Sequence, residues 1–330
     1  MDWGGILVDG LRAAVSVQAA VFALAAVGLN MHFGYTGLLN FGQAGFMLVG
    51  GYGVAVTVAQ FGGPLWLGLL VGMLAAVVLA LLLGVPTLRL RADYLAITTI
   101  AASEILRLLF RSNALVDVTG GVFGLQQFAD GFYALNPFPP GSYTVGPVEL
   151  EAGVVWVSLV GWGLVAACSW LSWRLTHSPW GRVVKSIRED EDAARSLGKN
   201  VFAYKLQSLA LGGVFGALGG AVLAISTQAV TPDSYDPVVT FFAYTVLILG
   251  GAGKIVGPIV GAAVFWFLVS GLDTFLREAI AAGLIPGTLL ASAETGAVRF
   301  ALVGLGLMLL MIYRPEGMFG DRRELQLGLR

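Results

Sequence analysis

The sequence predicts an all-α fold, a polytopic transmembrane helical bundle of about 8–10 spans, on three observations. First, 57% of the 330 residues are apolar and another 46 are Gly, while only 12% are charged; soluble domains carry about 25% charged residues. Second, the mean hydropathy of +0.82 makes lipid the better solvent for most of the chain. Third, no Asp, Glu, Lys or Arg occurs from Ala13 to Leu88. As helix this stretch extends roughly 114 Å, more than three crossings of a ~30 Å hydrocarbon core. A water-soluble enzyme is excluded by this composition. A net charge of -1 argues against nucleic acid as a partner. The length accommodates a single transmembrane domain over residues 1–330 and leaves little room for a folded aqueous one. The lone Cys168 lies among apolar residues, which excludes an intrachain disulfide and a Cys-based metal cluster.

In chain order, spans are expected near 13–30, 38–60 and 64–88, broken by turn formers at Asn30-Met31-His32-Phe33-Gly34 and Gly62-Gly63-Pro64. A cleavable signal is the competing reading of the first and is not expected, since Asp2 and Asp9 stand where a basic n-region is needed. Gly34, Gly37, Gly42, Gly45, Gly50, Gly51 and Gly53 are too dense for an uninterrupted helix, at ~1 kcal/mol each against Ala. With Asn40 and Gln43 they predict a broken, Gly-rich helix whose irregular backbone faces protein or a water-filled path. Further spans are expected near 94–112, 152–174, 204–226, 237–250, 257–272 and 297–313. Gly212, Gly216 and Gly220 recur at intervals of four, as do Gly253, Gly257 and Gly261. Each row is expected to form a smooth helix face for close packing in lipid.

Basic residues set the expected orientation. Arg89 and Arg91 form one cluster; Arg174, Arg182, Lys185, Arg188, Arg195, Lys199 and Lys205 a second; Lys254 stands alone; Arg314, Arg322, Arg323 and Arg330 form the last. These 14 of the 19 Lys and Arg fall on one side of a nine-span reading. Segments 113–151 and 227–236 hold no Lys or Arg, only acids such as Asp117, Asp130, Glu149, Glu151, Asp233 and Asp236. Segment 174–205 and the C-terminus are therefore expected in the cytoplasm. An odd span count places the N-terminus outside; a re-entrant stretch from Thr36 to Gly53 would make the count even and place it inside.

Between the spans, Ser178-Pro179-Trp180-Gly181-Arg182 reads as a helix start, followed by the apolar strip Val183, Val184, Ile187. Arg188 through Gly198 is expected to form a short amphipathic helix ended by Gly, suited to a groove on another protein. Here Asp192-Ala193-Ala194-x-x-x-Gly198 resembles the Glu-Ala-Ala-x-x-x-Gly core of the coupling loop in permease subunits of bacterial ATP-binding-cassette (ABC) importers, with Asp in place of Glu. The Ile-x-Leu-Pro part of that motif is absent, since Val201 to Leu206 reads Val-Phe-Ala-Tyr-Lys-Leu, unlike the sugar and oligopeptide branches.

From about residue 28 to 320 the chain is similar to branched-chain amino-acid permeases of LivM type. The likeness rests on Gly37-Leu38-Leu39-Asn40-Phe41-Gly42-Gln43-Ala44-Gly45-Phe46, Glu104-Ile105-Leu106-Arg107, Thr119-Gly120-Gly121, Gly181 to Lys205, Gly250 to Pro258 and Tyr313-Arg314-Pro315-Glu316-Gly317. The resemblance implies the ABC importer permease fold, with a cytoplasmic coupling loop over 175–203. In it Gly181, Arg182, Arg188, Glu189, Asp190, Asp192, Ala193, Ala194 and Gly198 would couple to the ATPase. Implied partners are a homologous LivH-type permease, two ATP-binding-cassette subunits and a periplasmic or extracellular solute-binding protein, in a bacterial inner membrane. No cofactor is expected in this chain, ATP and Mg being bound by the partner subunits. Leucine, isoleucine and valine are the default cargo, although relatives carry urea, short amides and other amino acids.

Catalytic motifs fail. Gly250-Gly251-Ala252-Gly253-Lys254 resembles a phosphate loop, but Ile248 stands where Gly is required and Ile255 where Ser or Thr is required. His32 and His177 have no carboxylates at ligand spacing, so no metal site is expected. An ion-coupled secondary transporter needs ionisable groups near the midplane, and the stretch to Leu88 offers none; no repeated selectivity element marks a channel. For a translocation path, Asn30, Asn40 and Gln43 offer neutral hydrogen-bonding groups, and Glu104, three residues from Arg107, offers an intramembrane charge.

Overall fold

The computed structural model describes residues 3–89, 92–145, 148–282, 295–314 and 316–320. Arg91, Pro315, Arg322, Arg323 and Arg330 lie outside the described residues. A short helix, α1 (Trp3–Ala14), precedes the expected spans and ends at a turn. Ser16 then accepts a hydrogen bond from Ala19 N and starts α2 (Val17–Leu29). α2 runs on as a π-helical turn, Asn30–Tyr35, and the backbone is irregular from Gly37 to Gly42 before α3 (Gln43–Ala59) begins. α4 (Leu65–Thr87) and α5 (Ala92–Arg111) follow. A cap region contains α6 (Val116–Thr119), β1 (Leu125–Gln126), α7 (Asp130–Ala134) and the antiparallel hairpin β2 (Ser142–Val145) with β3 (Val148–Glu151). Then come α8 (Ala152–Thr176), the short α9 (Pro179–Glu189) and α10 (Glu191–Ser196), α11 (Val201–Thr227) and β4 (Ala229–Val230). α12 (Pro237–Gly250), α13 (Val256–Ala281) and α14 (Thr295–Tyr313) complete the bundle. Among the described residues five helices, Val17–Tyr35, α4, α8, α11 and α13, are long and apolar enough to cross a membrane; α3 is a shorter apolar helix beside them.

α2, α3 and α11 form the centre. α2 is apolar on every side because every side is covered, with Ala19 through Leu29 all buried. The row Gly212, Gly216 and Gly220 lies on α11 as expected and lets it close on its neighbours. A Cβ at Gly212 would lie 2.3 Å from the Gly28 carbonyl of α2, and one at Gly220 would lie 1.9 Å from the Met47 carbonyl of α3. α4 packs through a stripe of Gly68, Gly72, Ala76 and Ala80, while Leu74 and Leu82 point outward. Small residues inward and leucine outward is the division expected where lipid, not water, surrounds the bundle.

Two expectations are corrected. Gly45, Gly50, Gly51 and Gly53 lie within α3, which is unbroken; their reason is close packing, against Ser103 of α5, Ala217 of α11, Tyr235 and Gly72 of α4 respectively. Contact on several sides offsets the helix penalty of ~1 kcal/mol per glycine. Gly253 is not on a helix face but in the turn before α13, at φ +78, leaving Gly257 and Gly261 as the packed pair.

The elements gather at two ends of opposite charge. At the basic end the Arg89 guanidinium lies over the Phe202 ring, Lys205 pairs with Glu191, and Asn30 Nδ2 donates to the Lys254 carbonyl at 2.8 Å. Met318 N and Phe319 N bond to the carbonyls of Leu249 and Gly250, bringing the C-terminal segment to the same end. At the acidic end β1 pairs with β4, Tyr133 donates to the Ile225 carbonyl, and Arg107 bonds to Asp233.

Candidate functional site: the basic end and the polar core behind it

At the basic end, α9 buries Gly181, Val184 and Ile187 and exposes Arg182, Lys185, Arg188 and Glu189. A Cβ at Gly181 would lie 2.3 Å from the Thr176 carbonyl, so the glycine lets α9 fold back on the end of α8. The expected single helix from Arg188 to Gly198 is in fact two. Arg188 and Glu189 end α9, and the Asp190 carboxylate accepts from Ala193 N at 2.9 Å to start α10. Gly198, at φ +76, closes it in the left-handed region where glycine is favoured.

Ala194 is turned inward, 2% exposed, in a small cluster with Ile187 and Val201. The outward surface of this two-helix finger is instead Asp192, Ala193, Arg195 and Leu197, the last 79% exposed. Glu191 fixes the finger to the bundle by accepting from Lys205 of α11 at 2.5 Å, and accepts from Arg195 within α10 at 2.9 Å. A groove beside it is lined by Leu88, Arg89, Glu191, Arg195, Phe202 and Lys205.

Behind the finger lies the irregular segment predicted from Asn40 and the glycines. His32, Asn40 and Gln43 are each fully buried. His32 Nε2 lies 3.1 Å from the Leu209 carbonyl, which can only accept, and Nδ1 lies 3.1 Å from the Asn40 amide nitrogen, which can only donate. Both contacts are satisfied by one neutral tautomer, with the proton on Nε2. Asn40 Oδ1 accepts from Gly42 N at 2.9 Å. Gln43 Nε2 reaches the carbonyls of Ala25 at 3.3 Å and Gly212 at 3.2 Å. The segment's own backbone is served from three neighbours: Phe41 N donates to Thr99 Oγ1, Ala44 N donates to Thr240 Oγ1, and Tyr244 donates to the Asn40 carbonyl. Irregular backbone at membrane depth is thus surrounded by protein, which is what allows it there.

Asn30 is engaged elsewhere, clasping the turn before α13 by accepting from Gly253 N at 2.8 Å while donating to Lys254. Glu104 accepts two hydrogen bonds from Arg107, at 2.6 and 2.9 Å, and Arg107 also bonds to Asp233. It therefore ties α5 to the loop after β4 at the acidic end. The four residues expected on a path occupy three separate places, with only Asn40 and Gln43 brought together.

The sequence profile described as the branched-chain amino acid transport system permease component matches residues 11–312. The chain belongs to that family. Its relatives within the branched-chain permeases include the high-affinity branched-chain amino acid transport system permease protein LivM of Salmonella typhimurium, 28% identical over 92% of this chain and 69% of that protein. A probable LivM permease of Methanocaldococcus jannaschii is 26% identical over 92% of this chain and 91% of its own length. A nucleoside ABC transporter permease of Lactococcus lactis, NupC, is 31% identical over 76% of each chain. Family and fold together make this branched-chain-type permease a multi-pass membrane protein and a transporter component of ABC type.

Sequence reasoning passed over two residues of this permease's site. His32 lacks the spacing of a metal ligand, and its part is instead that of the hub joining α2, α11 and the irregular segment. A lone histidine inside a long charge-free stretch was the available signal. Leu197 gave the opposite signal, an apolar residue just before the helix-ending Gly198, and it is the most exposed apolar group on the finger.

Proposed function

We propose that this permease imports branched-chain amino acids by alternating access, driven by two partner subunits that bind ATP and Mg. A homologous LivH-type permease completes the membrane unit, and a solute-binding protein delivers cargo to the acidic end. The observation that carries the reading is the finger at the basic end. Ala193 and Leu197, one helical turn apart, form an apolar spot rimmed by Asp192 and Arg195. An apolar centre with a charged rim on a short projecting helix fits a groove in a soluble subunit. The concentration of Lys and Arg at this end supports a cytoplasmic location for it, where ATP is available. Branched-chain amino acids are favoured as cargo because the LivM relatives align over nearly the whole chain. In the conformation described, Asn40 and Gln43 bond within the protein, so in this reading the path opens when that network parts.

The test is co-expression with the partner subunits and reconstitution in proteoliposomes. Ala193→Trp and Leu197→Asp are each expected to reduce recovery of the ATP-binding subunits and uptake of labelled leucine by at least about tenfold, or ~1.4 kcal/mol in docking. Charge reversal at Asp192 is expected to act more mildly, because rim charges are screened. Full uptake by both the Trp and the Asp variants would refute the finger as the coupling surface. Uptake of a nucleoside but not leucine would replace the cargo and leave the coupling intact.

A further inference from the structure

The finger is joined to the interior by a contact that a docking surface does not need. Arg188, at the end of α9, turns back toward its own chain, and Nη1 donates to the Gly34 carbonyl at 2.5 Å. Gly34 lies in the last turn of the π-helical segment Asn30–Tyr35, where carbonyls have lost their partners along the helix and carry the negative end of its dipole. A guanidinium here caps the helix from another element. Lys185, one turn earlier on α9, stacks its ammonium 5.8 Å from the Tyr35 ring centroid. Gly37 lies against the Arg188 stem: its φ of +74 already favours glycine, and a Cβ there would meet Arg188 Cγ at 3.3 Å. Backbone and side chain of α9 therefore hold the end of this segment on three contacts.

The same segment begins the polar chain of the core. His32, two residues before Gly34, bonds to Leu209 of α11 and to Asn40; Asn40 caps Gly42 N just before α3; and Gln43, the first residue of α3, bonds to α2 and α11. Thr36 and Ser208 add a second tie, their hydroxyls 2.6 Å apart and each 2.8 Å from the Met31 carbonyl. We infer that Arg188 is a positioning residue for transport: it transmits displacement of the α9–α10 finger, through the Gly34 carbonyl and the His32–Asn40–Gln43 chain, to the base of α3. This rests on the coupling reading above but assigns Arg188 to the permease's own interior rather than to the ATPase interface. Discrete hydrogen-bonded contacts suit such transmission because close-packed interiors move as units rather than deforming continuously.

Spin labels placed at Gln60, the exposed far end of α3, and Gly163, on the open face of α8, report that movement without knowledge of the cargo. The assembled complex, in a Cys168→Ser background, is measured with and without ATP plus vanadate. The parent complex is expected to change its 60–163 distance on trapping. Arg188→Met, which keeps the stem against Gly37 but removes the donor, is expected to retain the ATP-binding subunits and their hydrolysis yet lose most of the distance change. Arg188→Lys restores a charged donor and is expected to recover part of it, which distinguishes transmission from a folding defect even if the Met variant is poorly recovered. A full distance change in Arg188→Met, no recovery in a folded Arg188→Lys, or no change in the parent would overturn the inference. Loss of ATP-binding subunits from Arg188→Met would instead make Arg188 a docking residue, overturning the inference while the coupling reading stands. Failure of the parent chain itself to assemble with them would remove both.

Discussion

Asn40 shows how much one side chain carries at membrane depth. Its amide nitrogen donates to His32 Nδ1, its oxygen accepts from Gly42 N, and its carbonyl accepts from Tyr244. No water is available in such a place to substitute for a lost partner. Asn40→Leu removes three side-chain bonds and strands a ring nitrogen, a backbone N–H and the Gln43 amide oxygen. Each orphaned buried group costs about 1–3 kcal/mol, so thermal unfolding of the detergent-solubilised permease is expected at clearly lower temperature than the parent. Unchanged melting would show that neighbouring groups rearrange to replace the amide. His32→Leu is expected to act in the same direction, because it removes the ring's bonds to the Leu209 carbonyl and to the Asn40 amide. Leu197→Asp, by contrast, changes an exposed position and is expected to leave melting unaltered while abolishing assembly. The pair separates residues that hold the core from residues that meet a partner.

At the scale of elements, helix position was legible wherever apolar runs were bounded by charge or Gly-Pro, and helix interiors were less so. The density of glycine around Gly50 reads as a broken helix in sequence because propensity counts each glycine as a loss. The structure confines the break to Gly37–Gly42, and beyond it α3 is continuous, enclosed by α4, α5 and α11 at distances only glycine permits. Tertiary contact of that kind leaves no mark in a single sequence beyond the glycines themselves. The division of α9 from α10 was legible in principle, through Asp190 three residues before Ala193, but an apparent amphipathic run concealed the cap. The inward turn of Ala194 was not, because a small residue suits either face of a short helix. These packing relations are testable by a matched pair on two helices. Gly220→Ala places a methyl 1.9 Å from the Met47 carbonyl and must displace α11 from α3; a loss of about 1–3 kcal/mol or more is expected from such overpacking. Gly163→Ala on α8 meets nothing within 4 Å and is expected to be neutral or stabilising by up to ~1 kcal/mol. Equal melting temperatures for the two variants would contradict close approach of the central helices.

For the molecule as a whole, the charge asymmetry seen in the sequence reappears as two physical ends, one holding Arg89, α9–α10 and Lys254, the other holding Asp130, Asp233 and the β2–β3 hairpin. α13 starts beside Gly250 at the basic end and runs toward the acidic end, and α1 packs along it with Trp3 beside Phe275. The helix that begins the bundle therefore has its first residues nearer the acidic end. Membranes retain basic residues on the cytoplasmic side, and the orientation proposed above therefore has the basic end in the cytoplasm. Single cysteines at Lys199, Asp130 and Gly4, all at exposed positions, can be introduced in a Cys168→Ser background, the native thiol being buried. With a membrane-impermeant maleimide, Asp130→Cys and Gly4→Cys are expected to be labelled in intact cells, and Lys199→Cys only in inverted vesicles. Labelling of Lys199→Cys from outside would invert the molecule and deprive the finger of access to ATP-driven partners. Labelling of Gly4→Cys with Lys199→Cys, rather than with Asp130→Cys, would require α1 to cross the membrane and would replace the odd span count with an even one.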